Sequence, residues 1–383
     1  MAPYAPQFEG YEGYAVVTAG SDLDSAPANH FEIAPSSGAY ALGVQSIMIG
    51  FPMDYTTLRG FGTSGAFGGI SYVGNSVVLE YITVHDNSMY NMLLIEGHEA
   101  YGHGCTAGFG NKSDITVRNS TVVDGAGEGL YIGSNYILTG DGGCPSWGEG
   151  HNDILIENNH INRPATHGGQ GDGIDIKAGI RNITVRGNLI ENGGGPGEFG
   201  IVDLGTFLDQ GFSTNHLFEN NLIRNRPNHE NGMGIVNIRG IVIRNNVIFN
   251  AKGITFPGTN FTGIRNSNIR LYNNTIYGSA AGINGGSVDG FTLRNNRIAG
   301  TSGGAPISVG DAVNVGSDYN VLVQGLGISG LTEGSHSIFV PSSTSQFVNT
   351  STGDLHLTGF TIDFDKVARP QGSGWDIGAC EFK

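Results

Sequence analysis

The stretch IRNNVI, residues 243–248, carries the pattern from which the fold follows. Apolar residues flank two adjacent asparagines, and related hexapeptides recur along the chain. The others are LEYITV from Leu79, VRNSTV from Val117, IENNHI from Ile156, VRGNLI from Val185, FENNLI from Phe218, LYNNTI from Leu271 and LRNNRI from Leu293. Self-similarity of this kind is the sequence signature of a repeat architecture.

The fourth position of each hexapeptide measures the length of the repeat. It is occupied by Ile82, Ser120, Asn159, Asn188, Asn221, Asn246, Asn274 and Asn296, which lie 38, 39, 29, 33, 25, 28 and 22 residues apart. Such a period, with occasional insertions, fits one turn of a solenoid. Asparagine tolerates a left-handed backbone and can hydrogen-bond to its counterparts, so we predict stacked asparagines along the axis.

Each repeat also contains a second short apolar run that opens with glycine, as in GLYIG, GIDIK, GIVDL, GIVNI, GITF and GIN. Two or three short strands per period, with no amphipathic helical stretch between them, predict a right-handed parallel β-helix. A leucine-rich repeat is the structural alternative, but its leucine spacing and its helical segment are absent. We therefore expect one all-β domain. Residues 1–60 would form an N-terminal cap and first coil, residues 61–300 the repeats, and residues 301–383 the last coils and an irregular C-terminal cap.

Composition limits the partners of the protein. The net charge of −15 argues against nucleic acid and against an anionic membrane surface. No apolar run is long enough for a transmembrane helix, and the N-terminus lacks the features of a secretion signal. Of three cysteines, Cys105 and Cys144 could form a disulfide if their loops meet. We expect a monomer that binds neither nucleic acid nor membrane.

The run GDGIDIK, residues 171–177, stands out chemically among these uncharged strands. On a strand, Ile174 and Ile176 would face one side, while Asp175 and Lys177 face the other, about 7 Å apart. The simple interpretation is a solvated ion pair. Its neighbours in the predicted stack favour a functional role.

Stacking the glycine-opened strands predicts two outward rows on one face of the solenoid. The first row reads Leu94, Tyr131, Asp175, Asp203, Asn237, Thr255 and Asn284, and the second reads Glu96, Gly133, Lys177, Gly205 and Arg239. Neighbouring strands lie about 4.8 Å apart, so Asp175 and Asp203 would be nearly in contact.

Loops that follow these strands contain aromatic residues suited to stacking on sugar rings, among them Tyr101 and Trp147. A charged floor between aromatic walls is typical of a saccharide cleft, in which Glu96 and Asn237 would also contact substrate. Glu128 and Asp172 each precede a strand-opening glycine. They could cap turns, or they could bind calcium, which prefers oxygen ligands.

The repeats over roughly residues 60–300 resemble those of the pectate-lyase-like right-handed β-helix superfamily. The C-terminal runs at 369–372 and 376–379, RPQG and DIGA, resemble the ending of many secreted bacterial β-helix proteins, which implies an extracellular location. The pair EGLYIGS and GDGIDIKAG is also similar to a combination found in the superfamily. These motifs specify the fold better than the activity.

The resemblance implies a polysaccharide lyase that acts on a uronic-acid-containing glycan by β-elimination. Lys177 would be the base, Arg239 would neutralise the uronate, and Asp172, Asp175 and Asp203 could hold calcium. Such chemistry needs a base and a means of stabilising the enediolate.

Three alternatives stay open. In a glycoside hydrolase, Asp175 and Asp203 would be the catalytic carboxylates, oriented by Tyr131 and Lys177. A glycan-binding or adhesive solenoid would need no catalysis, and a C5-epimerase would share the proton abstraction of a lyase. The charged cluster favours an enzyme, and the lyase is preferred by a small margin.

Overall fold

The computed structural model describes most of the repeats. The described residues are 31–33, 46–48, 55, 57–64, 68–72, 75–86, 90–94, 113–125, 127–133, 152–162, 171–177, 180–192, 199–204, 214–225, 231–256, 265–278, 281–286, 288–299, 304–323, 327–340, 347–349 and 354–357. In these ranges the secondary structure is β-strand without helix. Accordingly, they include no helix long and apolar enough to cross a membrane.

The strands, numbered β1 to β35 in chain order, form three long parallel sheets and one antiparallel pair. Sheet I contains β3 (Thr57–Arg59), β6 (Val77–Glu80), β9 (Ser113–Arg118), β12 (Asn152–Glu157), β15 (Arg181–Arg186), β18 (His216–Glu219), β21 (Arg239–Arg244), β24 (Asn266–Tyr272), β27 (Val288–Arg294) and β30 (Val313–Asp318). Sheet II contains β1 (Phe31–Ile33), β4 (Phe61–Ser64), β7 (Thr83–His85), β10 (Thr121–Val123), β13 (His160–Asn162), β16 (Leu189–Glu191), β19 (Leu222–Arg224), β22 (Val247–Phe249), β25 (Thr275–Tyr277), β28 (Arg297–Ala299), β31 (Val321–Val323) and β33 (Ile338–Val340). Sheet III contains β2 (Ser46–Met48), β5 (Gly68–Tyr72), β8 (Tyr90–Leu94), β11 (Leu130–Ile132), β14 (Ile174–Ile176), β17 (Phe199–Leu204), β20 (Asn231–Val236), β23 (Lys252–Phe256), β26 (Ile283–Gly286), β29 (Ile307–Gly310) and β32 (Ile328–Ser329). The antiparallel pair is β34 (Phe347–Asn349) with β35 (Asp354–Leu357).

The chain visits sheets I, II and III in turn, and each strand pairs in parallel with the strand one coil away. Connections between parallel strands of one sheet are almost always right-handed. The protein is therefore a right-handed parallel β-helix, as predicted. Coils extend on both sides of residues 61–300, because β1 and β33 belong to the same sheet as the central strands. The limits of the two caps stay a prediction.

The interior of the solenoid is a continuous column of Ile, Val, Leu and Phe side chains. In strands of sheet I such as β9, β12 and β15, buried residues alternate with more exposed ones, so one face of the sheet contributes to this column. The largest fully buried side chains include Phe218, Phe256 and Phe291. The rings of Phe256 and Phe291 meet edge to face, with centroids 5.3 Å apart.

The predicted stack of asparagines is confirmed at the corner between sheets I and II. Each amide oxygen accepts hydrogen bonds from both the backbone N–H and the Nδ2 of the asparagine one coil earlier, at 2.9 to 3.2 Å. These links join Asn159, Asn188, Asn221, Asn246, Asn274, Asn296 and Asn320 in sequence. Ser120 continues the stack at its other end, where its Oγ accepts from Ile82 N at 3.1 Å. Asn320 extends the asparagine ladder beyond the positions that the sequence predicted.

The left-handed backbone that asparagine was expected to provide belongs to the preceding residue of each corner. Asn158, Asn220 and Asn245 have φ values of 54°, 55° and 54°. The two asparagines of an NN pair therefore have different functions: the first makes the turn, and the second bonds along the axis.

Glycines that open the strands of sheet III form a second ladder, because no side chain fits there. A Cβ at Gly173 would lie 2.6 Å from Gly200 O, and one at Gly200 would lie 2.8 Å from Gly232 O. The full ladder is Gly129, Gly173, Gly200, Gly232, Gly253 and Gly282. These contacts explain why each coil repeats a glycine at this point.

Substitution of Gly253 by alanine is expected to destabilise the protein by about 2–3 kcal/mol, as overpacking does in cores. Its Cβ would lie 1.7 Å from the carbonyl oxygen of Gly282, so backbone must move. Gly310 in the same sheet is the control, because a Cβ there meets nothing within 4 Å. Urea unfolding of both alanine variants checks the difference, and equal stability would contradict the ladder.

A third ladder of alternating charge runs across the outer face of sheet I. The residues in register are Arg59, Glu80, Arg118, Glu157, Arg186, Glu219 and Arg244. Glu80 Oε2 accepts from Arg118 Nε at 2.6 Å, and Arg244 Nη2 lies 2.6 Å from Glu219 Oε2. Burial acts to raise the pKa of Glu80, but the hydrogen bonds and charges of Arg118 and Arg59 outweigh it and hold that pKa below its usual range.

Candidate active site

The strand of the GDGIDIK run, β14, lies in sheet III between β11 and β17. Tyr131 is in register with Asp175, as predicted, and both project to the outer face because Ile174 and Ile176 are fully buried in the core. Gly133 lies beside Lys177, since a Cβ at Gly133 would be 3.2 Å from Lys177 Cβ. The structure therefore brings together Tyr131, Asp175 and Lys177.

The charged pair is buried, which corrects the expectation of an open charged floor. Asp175 is 1% exposed, Lys177 is 5% exposed and Tyr131 is 3% exposed. Strand β14 ends at Ile176, and the side chain of Lys177 reaches back to Asp175. Its Nζ lies 2.5 Å from Asp175 Oδ2 and 4.5 Å from the centroid of the Tyr131 ring. An ion pair and a cation–π contact both stabilise the charged ammonium.

Two further carboxylates complete a cluster beside this pair. Oxygen atoms of Glu128, Asp172 and Asp175 all lie within 4.8 Å of one another. Glu128 and Asp172 each precede a ladder glycine, and the backbone N–H of Gly129 donates to Asp172 O at 2.9 Å. The glycine ladder thus places these two acids on adjacent coils. Their possible role as calcium ligands stays a prediction.

The cluster shifts the pKa of Asp172 strongly upward, to about 8. Burial is the main cause, and the negative charges of Asp175 and Glu128 add to it. The backbone N–H of Phe199, which donates to Asp172 Oδ1 at 2.6 Å, and the charge of Lys177 only partly oppose the shift. At neutral pH the Asp172 carboxyl is therefore protonated.

Asp203 is not in register with Asp175, so the predicted pairing of these two residues is wrong. Val202 occupies the position opposite Asp175, and Asp203 is opposite Ile176. On the next coil, Gly234 rather than Asn237 continues the row, followed by Thr255 and Asn284 as predicted. On the other side, Leu93 rather than Leu94 is opposite Tyr131.

The glycine ladder explains the errors at Asp203 and Asn237, which are one and three residues out of register. Gly173 and Gly200 stack, so the outward residue two positions later is Asp175 on one coil and Val202 on the next. In β20 the ladder glycine is Gly232, whereas the sequence analysis aligned the strand on Gly234. A slip of one residue exchanges the two faces of a strand.

Arg239 lies outside the row of Lys177, which corrects another prediction. It begins β21 in sheet I and is in register with Ser267. Asn237 lies in the turn before it, buried and with a φ of 55°. Several other residues singled out from the sequence lie outside the described residues, namely Glu96, Tyr101, Trp147, Cys105 and Cys144.

Two residues near the cluster were missed by the sequence analysis. Phe199, whose N–H holds Asp172, packs its ring against Gly234, where a Cβ would be 2.3 Å from Phe199 Cε1. His216 is 2% exposed, and its Nε2–H donates to the carbonyl of Ile180 at 2.9 Å, just beyond Lys177. Phenylalanine at a strand start and histidine in a core position of β18 carry no repeat signal. Only the folded structure shows that the Phe199 N–H meets Asp172 and that His216 bonds the segment after Lys177.

No family model matches the sequence, and no curated protein matches it either. Solved structures share the architecture at low identity. The surface protein and adhesin PfbA of Streptococcus pneumoniae is 12% identical, with a TM-score of 0.45 over 78% of this chain and 84% of that chain. The catalytic unit of a thermostable GH87 alpha-1,3-glucanase from Streptomyces thermodiastaticus is 15% identical, with a TM-score of 0.38 over 77% and 61%. Pectate lyase Pel9A is 13% identical, with a TM-score of 0.36 over 91% of both chains. Similarity at this level describes the fold alone, so activity has to be argued from the residues.

Proposed function

We propose that this protein is a carbohydrate-active enzyme that cleaves a polysaccharide, most specifically a lyase acting by β-elimination on a uronic-acid-containing glycan. The observation that carries the proposal is the cluster of Glu128, Asp172 and Asp175, of which Glu128 and Asp175 are buried and Asp175 contacts Lys177 directly. Three acids around one lysine on a strand face cost stability, because burial penalises each charge. Such an arrangement is typical of a functional site.

The three carboxylates fit calcium as a donor set. Calcium takes carboxylate oxygens in flexible geometry, and these three acids offer oxygens within 4.8 Å of one another. The pKa of Asp172 is raised first by burial and then by the negative charges of Asp175 and Glu128, and a bound cation would offset both effects. Glu128, Asp172 and Asp175 would hold the ion. When bound, it would supply positive charge to a uronate carboxylate and to the enediolate that forms from it.

Lys177 would remove the proton at C5 of the uronate. A base must reach the proton that it removes, and the Lys177 Nζ lies 2.5 Å from Asp175 Oδ2. Lys177 must therefore leave Asp175 before it can act. The Tyr131 ring beneath its Nζ restricts the positions that the amine can then adopt.

A glycoside hydrolase is the second candidate, and the unequal environments of Asp172 and Asp175 favour it. Burial raises the pKa of Asp172 to about 8, so Asp172 is protonated at neutral pH as a general acid must be, whereas Asp175 Oδ2 lies 2.5 Å from the Lys177 ammonium. Carboxyl groups whose environments separate their pKa values are typical of glycosidase pairs. In this mechanism Asp172 replaces Asp203 as the partner of Asp175.

Digestion of a panel of uronans and neutral glucans, with and without EDTA, tests the proposal. We expect an unsaturated product that absorbs in the ultraviolet, that is lost with EDTA and that returns with added calcium. New reducing ends without absorbance would contradict the lyase and support the hydrolase. A product that is epimerised but not cleaved would support the epimerase, and binding without any turnover would support a glycan-binding solenoid.

Thermal unfolding provides a second measurement that does not depend on activity. Calcium should raise the melting temperature, because it binds only the folded cluster. Asp172 must lose its proton to bind the ion, so the increase should be larger at pH 9 than at pH 6. The Asp172→Asn variant should abolish most of the increase. A calcium effect that is absent at both pH values would contradict the metal site.

A further inference from the structure

The alternating charge ladder of sheet I is interrupted at β24. After Glu219 and Arg244, the next rung is Tyr272, and the rung after that is Arg294. Earlier along the sheet, Arg118 and Arg186 each have a glutamate in register on both neighbouring strands. Tyr272 therefore has one arginine in register on each side, Arg244 and Arg294, and no carboxylate lies between the two arginines.

A third arginine belongs to the same face. Arg270 is exposed, and its neighbours in register are Val242 and Thr292, so neither adjacent strand offers it an acid. Core residues Ile269 and Leu271 on either side of it are fully buried, which directs Arg270 and Tyr272 outward. We call the group Arg244, Arg270, Tyr272 and Arg294 the arginine patch.

The acids nearest the patch are already engaged. Glu219 accepts from Arg244 Nε at 2.7 Å on the far side of the patch. Asp318, in register with Arg294, accepts from His336 Nδ1 at 2.8 Å and from His336 N at 3.0 Å. Arg294 instead lies over the Tyr319 ring, with its Cζ 6.0 Å from the centroid. The part of the chain that the structure describes contains no ion pair to Arg270 or Arg294.

We propose that the arginine patch is a second binding surface, for an acidic polysaccharide, on a different sheet from the candidate active site. Among the described residues, Arg270 and Arg294 make no ion pair although the protein has a net charge of −15, so this sheet face concentrates positive charge. Guanidinium groups match carboxylates in geometry, and the face of a tyrosine packs well on a sugar ring. The choice of a polyuronate as ligand rests on the proposed function.

The geometry suits a polymer better than a small anion. Strands β21, β24 and β27 are consecutive, so Arg244 and Arg294 are separated by about 10 Å, two strand spacings, with Tyr272 between them and Arg270 about 7 Å away along the middle strand. A chain that lies along the helix axis would meet one arginine per coil. The surface would then hold the polymer while another part of it enters the site on sheet III.

Binding of soluble polygalacturonate at low salt tests the proposal. The inactive Asp175→Asn/Lys177→Met variant of the full chain serves as the background, so that substrate is not consumed. Adding Arg270→Ala and Arg294→Ala should weaken binding about tenfold and reduce its dependence on salt. The matched control is Arg186→Ala, which removes an arginine of similar exposure whose Nη2 pairs with Glu157 at 2.7 Å. The control should change affinity less than twofold.

Three results would overturn the proposal. They are undiminished binding by the Arg270/Arg294 variant, an equal loss in the Arg186 control, and equally tight binding of a neutral glucan or of DNA. Cleavage of short oligosaccharides, measured in the otherwise native chain, should be unchanged by Arg270→Ala/Arg294→Ala. Binding that depends on the patch, in a protein that cleaves nothing, would refute the proposed function and leave the patch intact.

Discussion

Replacement of Lys177 by methionine is expected to destabilise the protein by about 3–5 kcal/mol, the range found when one partner of a buried ion pair is removed. The reason is that the Asp175 carboxylate, only 1% exposed, would remain beside Glu128 and Asp172 without its nearest positive charge. A methionine fills similar volume, so the loss reports charge rather than packing. Urea unfolding at pH 7 measures it.

The double variant Asp175→Asn/Lys177→Met should recover most of that stability, because it removes both charges together. Arg186→Met is the matched control for an exposed pair, and it should cost less than about 1 kcal/mol. If Lys177→Met is as stable as the native protein, Lys177 does not compensate a buried negative charge on Asp175, and the ion pair does not contribute to stability.

Activity should separate from stability in the same series. Both variants lack the amine that we propose as the base, so each should lose a factor of about 10²–10⁴ in turnover. The double variant is folded in this expectation, so its inactivity cannot result from unfolding. Full activity of the folded double variant would exclude Lys177 as the base.

The fold could be predicted because its determinants recur in the sequence. The asparagine at the fourth position of the hexapeptides predicted the ladder correctly from Asn159 to Asn296. Asn320 was missed because Tyr319, rather than asparagine, occupies the left-handed position before it, with a φ of 61°. The residue types before Asn320 differ from those of the other corners, although the left-handed backbone and the hydrogen bond from Asn296 N are the same.

The charge ladder was present in the sequence but not recognised. It is the second letter of each hexapeptide: Glu80, Arg118, Glu157, Arg186, Glu219, Arg244, Tyr272 and Arg294. Glutamate and arginine alternate at a separation of one coil, which is invisible in a local window. Once the strands are stacked, opposite charges across neighbouring strands stabilise the register, and Tyr272 becomes visible as the exception.

The site was only partly predictable, since a register error of one residue decides which side chains meet. The Tyr131, Asp175 and Lys177 group followed from consecutive coils of similar sequence. Asp203 was placed beside Asp175 on chemical grounds, against the glycine alignment that would have selected Val202. Burial of the pair could not be predicted either, because an outward position on a strand does not determine what covers it.

Replacement of Asn246 by alanine is expected to cost about 3–5 kcal/mol, because each buried polar group that loses its partner costs about 1–3 kcal/mol. Asn246 is fully buried. Its Oδ1 accepts from the N–H and the Nδ2 of Asn221, both at 3.0 Å, and its Nδ2 donates to Phe218 O at 2.9 Å and to Asn274 Oδ1 at 3.0 Å. Alanine satisfies none of these groups and leaves a cavity in the corner.

The adjacent residue provides a strict control, since Asn245 differs from Asn246 in function but not in type. Asn245 makes the turn with a φ of 54°, so Asn245→Gly should change stability by less than about 1 kcal/mol. In a solenoid each coil contacts mainly its neighbours, so hydrogen exchange in Asn246→Ala should rise most in the coils of Asn221 and Asn274. If the two variants are equally stable, the ladder adds nothing beyond the turn, and stacking of the apolar core alone maintains the register of the coils.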